Sequence, residues 1–304
     1  MLSLKVIQEL GRECGLAQIG VSPITVEEKY LQVLDDYLQN GFYGEMQYLQ
    51  RWREYNRAIK SHLPWANTVL VAIDNYYSAE ILPLGYPAFS RYAWGSDYHV
   101  IIKDKLQRLF FRLQQQEPNL KGKIYVDTGP ILAKALAEQA GLGWIGNNCL
   151  FIAEGIGSFV FIGLLYLDRE VEMNSQPIEN RCNACRLCLQ ACPTGALLAP
   201  GRLNARRCLA YLTIEKRSSF TPEERLMVQG HLYGCDRCQE VCPYNRMWAQ
   251  PAQDARYREI LPELYRSETD WRHLTATDFK RIFRHSVVRR LGFVRFQRNL
   301  AAQK

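Results

Sequence analysis

The chain has 304 residues, 47% of them hydrophobic, enough for two domains with a sizeable core. Its longest apolar stretch, Phe159–Leu167, is too short to span a bilayer, and the N-terminus carries neither a signal-peptide pattern nor a twin-arginine motif, so a soluble cytoplasmic protein is expected. The formal charge of +7 is unevenly placed: Trp271–Lys304 holds nine Lys/Arg against one acid, a net of +8, which leaves residues 1–270 at −1.

Leu2–Cys14 and Val26–Asn40 have helical periodicity and end at Gly15 and Gly41. Thr68–Asp74 is a buried strand rich in β-branched residues. Tyr98–Gln116 follows as a long helix closed by Pro118, then Lys123–Val126 as a second strand. Asp127-Thr-Gly-Pro130 turns that strand into a helix over Ile131–Ala140. Cys149–Ala153 and Ser158–Asp168 are strands on either side of a Gly155/Gly157 turn. Alternating helices and strands make residues 1–175 an α+β or α/β domain with helices covering a sheet. Residues 176–250 hold two cysteine runs, and 251–304 form a basic helical segment. In that segment Phe279, Ile282, Phe283, Val287, Leu291 and Phe296 recur at near-helical spacing. A basic amphipathic helix pair of this kind fits a polyanion through phosphate contacts, with its apolar positions packed on the rest of the chain.

The cysteines carry the strongest signal. Cys182, Cys185, Cys188 and Cys192, followed by Pro193, give the C-x₂-C-x₂-C-x₃-C-P pattern of two-cluster bacterial ferredoxins, in which the fourth thiolate serves the other cluster. The second run, Cys235, Cys238 and Cys242, has three cysteines and needs a fourth ligand, which Cys208 supplies. Spacing therefore assigns Cys182, Cys185, Cys188 and Cys242 to one 4Fe–4S cluster and Cys192, Cys208, Cys235 and Cys238 to the other. A zinc ribbon is the competing reading of C-x₂-C pairs, and the x₃ spacing with a proline after each closing cysteine argues against it. Thiolate ligands of this kind suit a reducing compartment. Cys14 and Cys149 are isolated and read as small buried hydrophobes.

Three further features need weighing. Gly141-Leu-Gly143-Trp-Ile-Gly146 matches a dinucleotide fingerprint literally, but it follows a helix and leads into a strand, the reverse of the required order, so no NAD site is read. Asp127 at a strand end is either a helix N-cap or a general acid over the opening that the glycine loop lines. Asp97-Tyr98-His99 begins like the D-x-H of proteins that ligate cobalt through histidine, but Ile102 stands where that pattern expects glycine. His62, His231, His273 and His285 have no ligand spacing.

Ser90–His99, Tyr125–Ile152, the first cysteine run, Cys208–Glu215 and Tyr233–Asn245 together resemble epoxyqueuosine reductase, the cobalamin and iron–sulfur enzyme of tRNA queuosine synthesis. The resemblance implies a nitroreductase-like N-terminal domain binding cobalamin with its base detached from cobalt, joined to a ferredoxin-like domain with the same eight cysteine ligands. It implies two-electron, two-proton deoxygenation of the epoxide through Co(I), with Asp127 as proton donor. Burial against the corrin is expected to raise the Asp127 pKa enough to hold that proton. Cobalamin contacts are expected at Arg57, Ser90, Tyr98, His99, Asp127, Gly146, Asn147, Phe151 and Ser158. Contacts to tRNA are expected at Lys216, Arg217, Lys280, Arg281, Arg284, Arg289, Arg290, Arg295 and Arg298.

The implied partners are tRNAs with a GUN anticodon, accepting aspartate, asparagine, histidine or tyrosine, and a low-potential electron donor such as flavodoxin or ferredoxin. A monomer is expected. The chain departs from many relatives at Ala133-Lys134 and at Asn147-Asn148-Cys149, and it resembles a short form without the C-terminal helical-repeat domain of longer members. The alternatives are a cobalamin-dependent reductive dehalogenase and a plain ferredoxin-type electron carrier. The small organohalide substrates of the first give no reason for the basic tail, and the second should bind no cobalamin.

Overall fold

The computed structural model describes residues 3–81, 88–173 and 176–303. Four strands, β1 (Gln18–Pro23), β2 (Thr68–Asn75), β3 (Gly122–Val126) and β4 (Val160–Leu167), form a sheet in the order β1-β2-β4-β3, with every neighbouring pair antiparallel. β2 and β4 are apolar at nearly every position because both faces of the sheet are covered. Leu70 and Ala72 pack with helices α1 (Leu4–Glu13) and α2 (Tyr98–Gln116). Val69, Val71 and Ile73 pack on the opposite face with Leu136 and Ala137 of α3 (Ala133–Gln139). The first domain is thus α+β with helices on both faces.

β1 carries no strand signal in the sequence reading. QIGVSP is short and contains Gly20 and Pro23, yet its middle is buried, and a Cβ on Gly20 would lie 2.7 Å from the Ala140 carbonyl. Gly163 plays the same part on the other face: a Cβ there would meet Ile102 Cγ2 at 2.6 Å, so glycine lets α2 close onto β4. Asp97 caps α2 by accepting the His99 N–H at 3.0 Å. Helix boundaries are slightly inside those expected, at Glu28–Gln39 and Ala133–Gln139. The expected strand from Cys149 begins only at Phe151, because Cys149 has φ of +64° and belongs to the preceding turn.

The basic segment is not a free arm. Phe279, Phe283 and Phe296 are fully buried with Trp271, and the Phe89 ring lies 5.9 Å from Trp271 and 6.4 Å from Phe283. Helix α4 (Phe293–Ala301) is tied down by buried Asn299, whose Nδ2 donates to the Thr213 and Leu232 carbonyls at 2.7 and 2.9 Å. A second tie runs through the core. The Lys105 ammonium meets Asp74 at 2.6 Å and Asp254 at 3.2 Å, and Tyr257 donates to Asp74 at 2.7 Å. A buried charge is tolerated here because its partners satisfy it. Among the described residues no helix is long and apolar enough to cross a membrane.

Candidate active site

The thiols fall into two sets of four. Cys188 and Cys242 each feel the charge of Cys182 and Cys185. Cys235 and Cys238 both feel Cys208, while Cys235 and Cys208 also feel Cys192. Cys238 also feels Cys188, across the two sets that spacing gave. Burial pushes the Cys188 thiol up to about 11 and Cys235 up to about 12, with neighbouring thiols adding to it. Backbone N–H groups point at sulfur, from Asn147 to Cys182 Sγ at 3.5 Å and from Ala196 to Cys192 Sγ at 3.2 Å. Such donors suit thiolates that carry cluster charge. Among the described residues no three His, Cys, Asp or Glu side chains gather round one point as a lone metal ion requires.

Asp127 follows β3 directly, with φ of +52°, a left-handed conformation that strains a non-glycine residue. It is not a helix cap, since α3 opens only at Ala133. Its Oδ2 accepts the Tyr98 hydroxyl at 2.8 Å and lies 3.3 Å from His99 Nε2. His99 Nδ1 is 2.7 Å from Asp97 Oδ1, and Arg290 Nη1 is 2.6 Å from His99 Nε2. The strand end, the first turn of α2 and the basic segment therefore converge on one carboxylate. Around it a cavity of about 230 Å³ is lined by Tyr92, Tyr233 and Glu215, together with Arg217, Arg290 and Arg295. Clefts of about 300 and 340 Å³ lie near Val26 and near Leu142, away from these groups.

In the protein alone the Asp127 pKa is lowered, whereas the expected rise depends on burial against the corrin. Burial raises it, but hydrogen bonds from His99 and Tyr98, with the positive charge of Arg290, outweigh burial and hold the carboxyl below its usual value. The side chain is still 59% accessible, because it faces the open cavity. Behind it lies a second row of groups. Tyr48 feels both Asp127 and Glu215; Cys149 feels Lys134 and Cys208; Tyr37 feels both of those thiols.

Of the expected cobalamin contacts, Tyr98, His99 and Asp127 meet. The other six are engaged elsewhere. Arg57 pairs with Glu28 and Asp35 at 3.1 and 3.2 Å. Ser90 donates to Asp236, and Ser158 lies 3.0 Å from Gln239 Oε1. Phe151 is buried, Gly146 sits close against Ile152, and Asn147 donates to the Cys185 carbonyl at 2.9 Å.

Of the expected RNA contacts, Lys280, Arg284, Arg289 and Arg290 are exposed. Arg281 pairs with Asp278 at 3.3 Å, and Lys216 with Glu224 at 3.3 Å. Arg295 and Arg298 are spent on backbone carbonyls: Arg295 on Ile214 and Leu291, Arg298 on Lys216, Ser218 and Leu212. Sequence reading missed Tyr92, Glu215 and Tyr233, although each lies inside a segment that carried the resemblance.

A sheet domain presenting a carboxylate beside a double set of cluster thiols defines an iron–sulfur oxidoreductase. A family profile described as a 4Fe–4S double cluster binding domain matches residues 181–245, and one described as epoxyqueuosine reductase QueG matches residues 57–128. An epoxyqueuosine reductase of Leadbetterella byssophila is 34% identical over 99% of this chain and 98% of its own. That of Escherichia coli is 35% identical over 97% of this chain and 79% of its own. A crystal structure of epoxyqueuosine reductase with an epoxyqueuosine-modified tyrosine tRNA stem loop is 28% identical, with a TM-score of 0.87, over 98% of this chain and 80% of that one. A Bacillus subtilis enzyme whose catalytic loop is swung out of the active site is 27% identical over the same shares, with a TM-score of 0.85. The chain belongs to the epoxyqueuosine reductase family.

Proposed function

We propose that this chain removes the epoxide oxygen of epoxyqueuosine at the tRNA wobble position with Asp127 as proton donor, and that cobalamin binds at the cavity beside Asp127. Reduction of epoxyqueuosine to queuosine in tRNA is the activity of the family, and this chain is an oxidoreductase that performs it. The observation that carries the finer reading is the convergence of Asp127, Tyr98 and His99 on a cavity with cationic walls. Epoxide, two electrons and two protons give alkene and water. Iron–sulfur clusters pass electrons singly, and cobalamin, when bound, supplies a centre that collects them for the epoxide.

The cavity supports such a placement because the Asp127 carboxylate opens into it and the rings of Tyr92, Tyr98 and Tyr233 line it. Tyr98 and His99 hold the Asp127 carboxyl toward the cavity. Burial against the bound cofactor would raise the carboxyl enough to hold a proton, and Asp127 then delivers it to the oxygen as the strained ring opens, where a developing alkoxide needs it. Cys182, Cys185, Cys188 and Cys242 hold the first cluster, and Cys192, Cys208, Cys235 and Cys238 the second. Residues 1–175 form the nitroreductase-like catalytic domain, 176–250 the cluster domain and 251–304 the basic segment. A wobble base in a single-stranded loop can be splayed into the cavity while Lys280, Arg284 and Arg289 meet phosphates. The relative's complex with an epoxyqueuosine-modified tRNA stem loop supports a tRNA-loop substrate. The protein acts as a cytoplasmic monomer, fed by a low-potential flavodoxin or ferredoxin.

Mass spectrometry of nucleosides from cells lacking the protein tests this reading. Epoxyqueuosine should accumulate at the expense of queuosine, and undiminished queuosine would overturn it.

A further inference from the structure

His99 is in two incompatible hydrogen bonds. Its Nδ1 faces Asp97 Oδ1 at 2.7 Å, and Asp97 also accepts the His99 backbone N–H, so Nδ1 carries a hydrogen. Everything else falls on Nε2. Asp127 Oδ2 is 3.3 Å from it and, when ionised, wants a hydrogen there. Arg290 Nη1 is 2.6 Å from the same nitrogen and has only hydrogens to offer, so it needs a lone pair. A protonated Nε2 excludes Arg290, and a bound Arg290 excludes the proton.

The two carboxylates favour the charged ring, and the Arg290 contact opposes it. Burial lowers the His99 pKa, while hydrogen bonds to Asp127 and Asp97 overcome it and hold the ring above its usual value. From the other elements packed here, Arg290 presses the Asp127 pKa down, and Glu215, Arg217 and Arg295 line the rest of the cavity.

The chemistry needs this proton. Deoxygenation takes up two protons, and Asp127 carries one, so the carboxylate must be reloaded or assisted within each turnover. Among the described residues, Tyr98 and His99 are the side chains within hydrogen-bond reach of Asp127 Oδ2. Burial and the adjacent Asp127 charge push the Tyr98 phenol far above its usual value, so it orients without releasing a proton. His99 remains.

Arg290 is exposed, and among the described residues its guanidinium makes no hydrogen bond or ion pair besides His99. It sits in a segment of net positive charge beside Lys280, Arg284 and Arg289, where an RNA backbone would compete for it.

We propose that Arg290 has two alternative partners, His99 in the RNA-free protein and an RNA phosphate in the complex, and that its departure frees His99 to pass a proton to Asp127. This rests on the reaction proposed above. Asp127 gives its proton to the epoxide oxygen, His99 Nε2–H replaces it on Oδ2, and the ring regains a proton from solvent. No electrons move in these steps. Arg290 is then a positioning residue that makes proton supply wait for the tRNA.

The test is proton uptake on binding an unmodified GUN anticodon stem loop, which cannot turn over. Calorimetry of the cluster-loaded protein near neutral pH, in buffers of different ionisation heat, reads it directly. Wild type should take up a proton fraction approaching about one per RNA. Arg290→Gln, at an exposed position, should bind RNA with little uptake because its ring is already released, and His99→Gln should likewise show little. Binding by wild type without uptake, or unchanged uptake in Arg290→Gln, overturns the gate while leaving the reductase reading intact. Failure of the stem loop to bind at all would sink the RNA reading as well.

Discussion

The Tyr98 hydroxyl donates to the Asp127 carboxylate at 2.8 Å, and the Tyr98 ring stacks on Phe161 of β4 at 4.0 Å. A strained carboxylate on a strand end is thereby held by a ring anchored in the sheet core. Tyr98→Phe keeps the stack and loses the donor. Without it the Asp127 pKa rises, so the falling limb of the pH–rate profile, where the acid is lost, should move to higher pH. On that limb the protonated fraction, and turnover with it, should rise by about tenfold, the worth of one hydrogen bond to a charged group. An unmoved limb would mean that Tyr98 does not govern Asp127.

Cys208 lies outside both cysteine runs yet feels Cys192, and is felt by Cys235 and Cys238. Cys208→Ala should therefore disturb one cluster and spare the other. Iron should fall from about eight atoms toward about four, with one set of EPR signals lost. Full iron with unchanged spectra would refute the wiring.

The double-cluster segment was legible in the sequence because it depends on local cysteine spacing, and so was the strand that ends just before Asp127. The apolar positions of the basic segment were also legible, and all six are buried. What escaped was non-local. β1 is a strand because β2 and α3 cover it, not because of its own residues. Arg290 reaches His99 across 191 positions, and no periodicity announces that contact. The lowered Asp127 pKa of the protein alone escaped for the same reason: burial could be foreseen, but two donors and a cation arriving from distant segments could not.

The arginines of the basic segment should separate into two behaviours. Arg298 donates to three carbonyls and lies 4.1 Å over the Phe220 ring, with burial and nearby Arg295 bringing its pKa down to about 10, still cationic at neutral pH. Arg298→Ala should cost about 2 kcal/mol of stability and leave the salt dependence of RNA binding unchanged. Glutamine at Lys280, Arg284 and Arg289 should leave stability alone and flatten that dependence by about one unit each. Thermal unfolding and binding across a salt series distinguish the two groups.

Glu45 holds the loop that carries Arg217 into the cavity, accepting the Arg217 N–H at 2.7 Å and the Ser218 N–H at 3.2 Å. Burial opposes its charge, but the Ser218 hydroxyl, these two amides and Lys216 bring its pKa down to about 2. A depressed carboxylate stabilises above its unfolded value and loses that effect only as pH falls toward the folded one, so the tie is complete at neutral pH. Glu45→Gln should speed amide exchange of Arg217 and Ser218 about tenfold at pH 7. Equal exchange in the two proteins would show that the loop is held by other contacts.

Single-turnover reduction of an epoxyqueuosine-containing tRNA stem loop by Asp127→Asn tests proton delivery most directly, with product read by nucleoside mass spectrometry. Asparagine keeps the size of the side chain and removes the transferable proton. The expected result is a rate lower by about 10²–10⁴-fold, with iron content, cobalamin binding and RNA affinity unchanged. A variant that forms queuosine at the wild-type rate would contradict the role of Asp127 and return the search for the proton donor to the rest of the cavity.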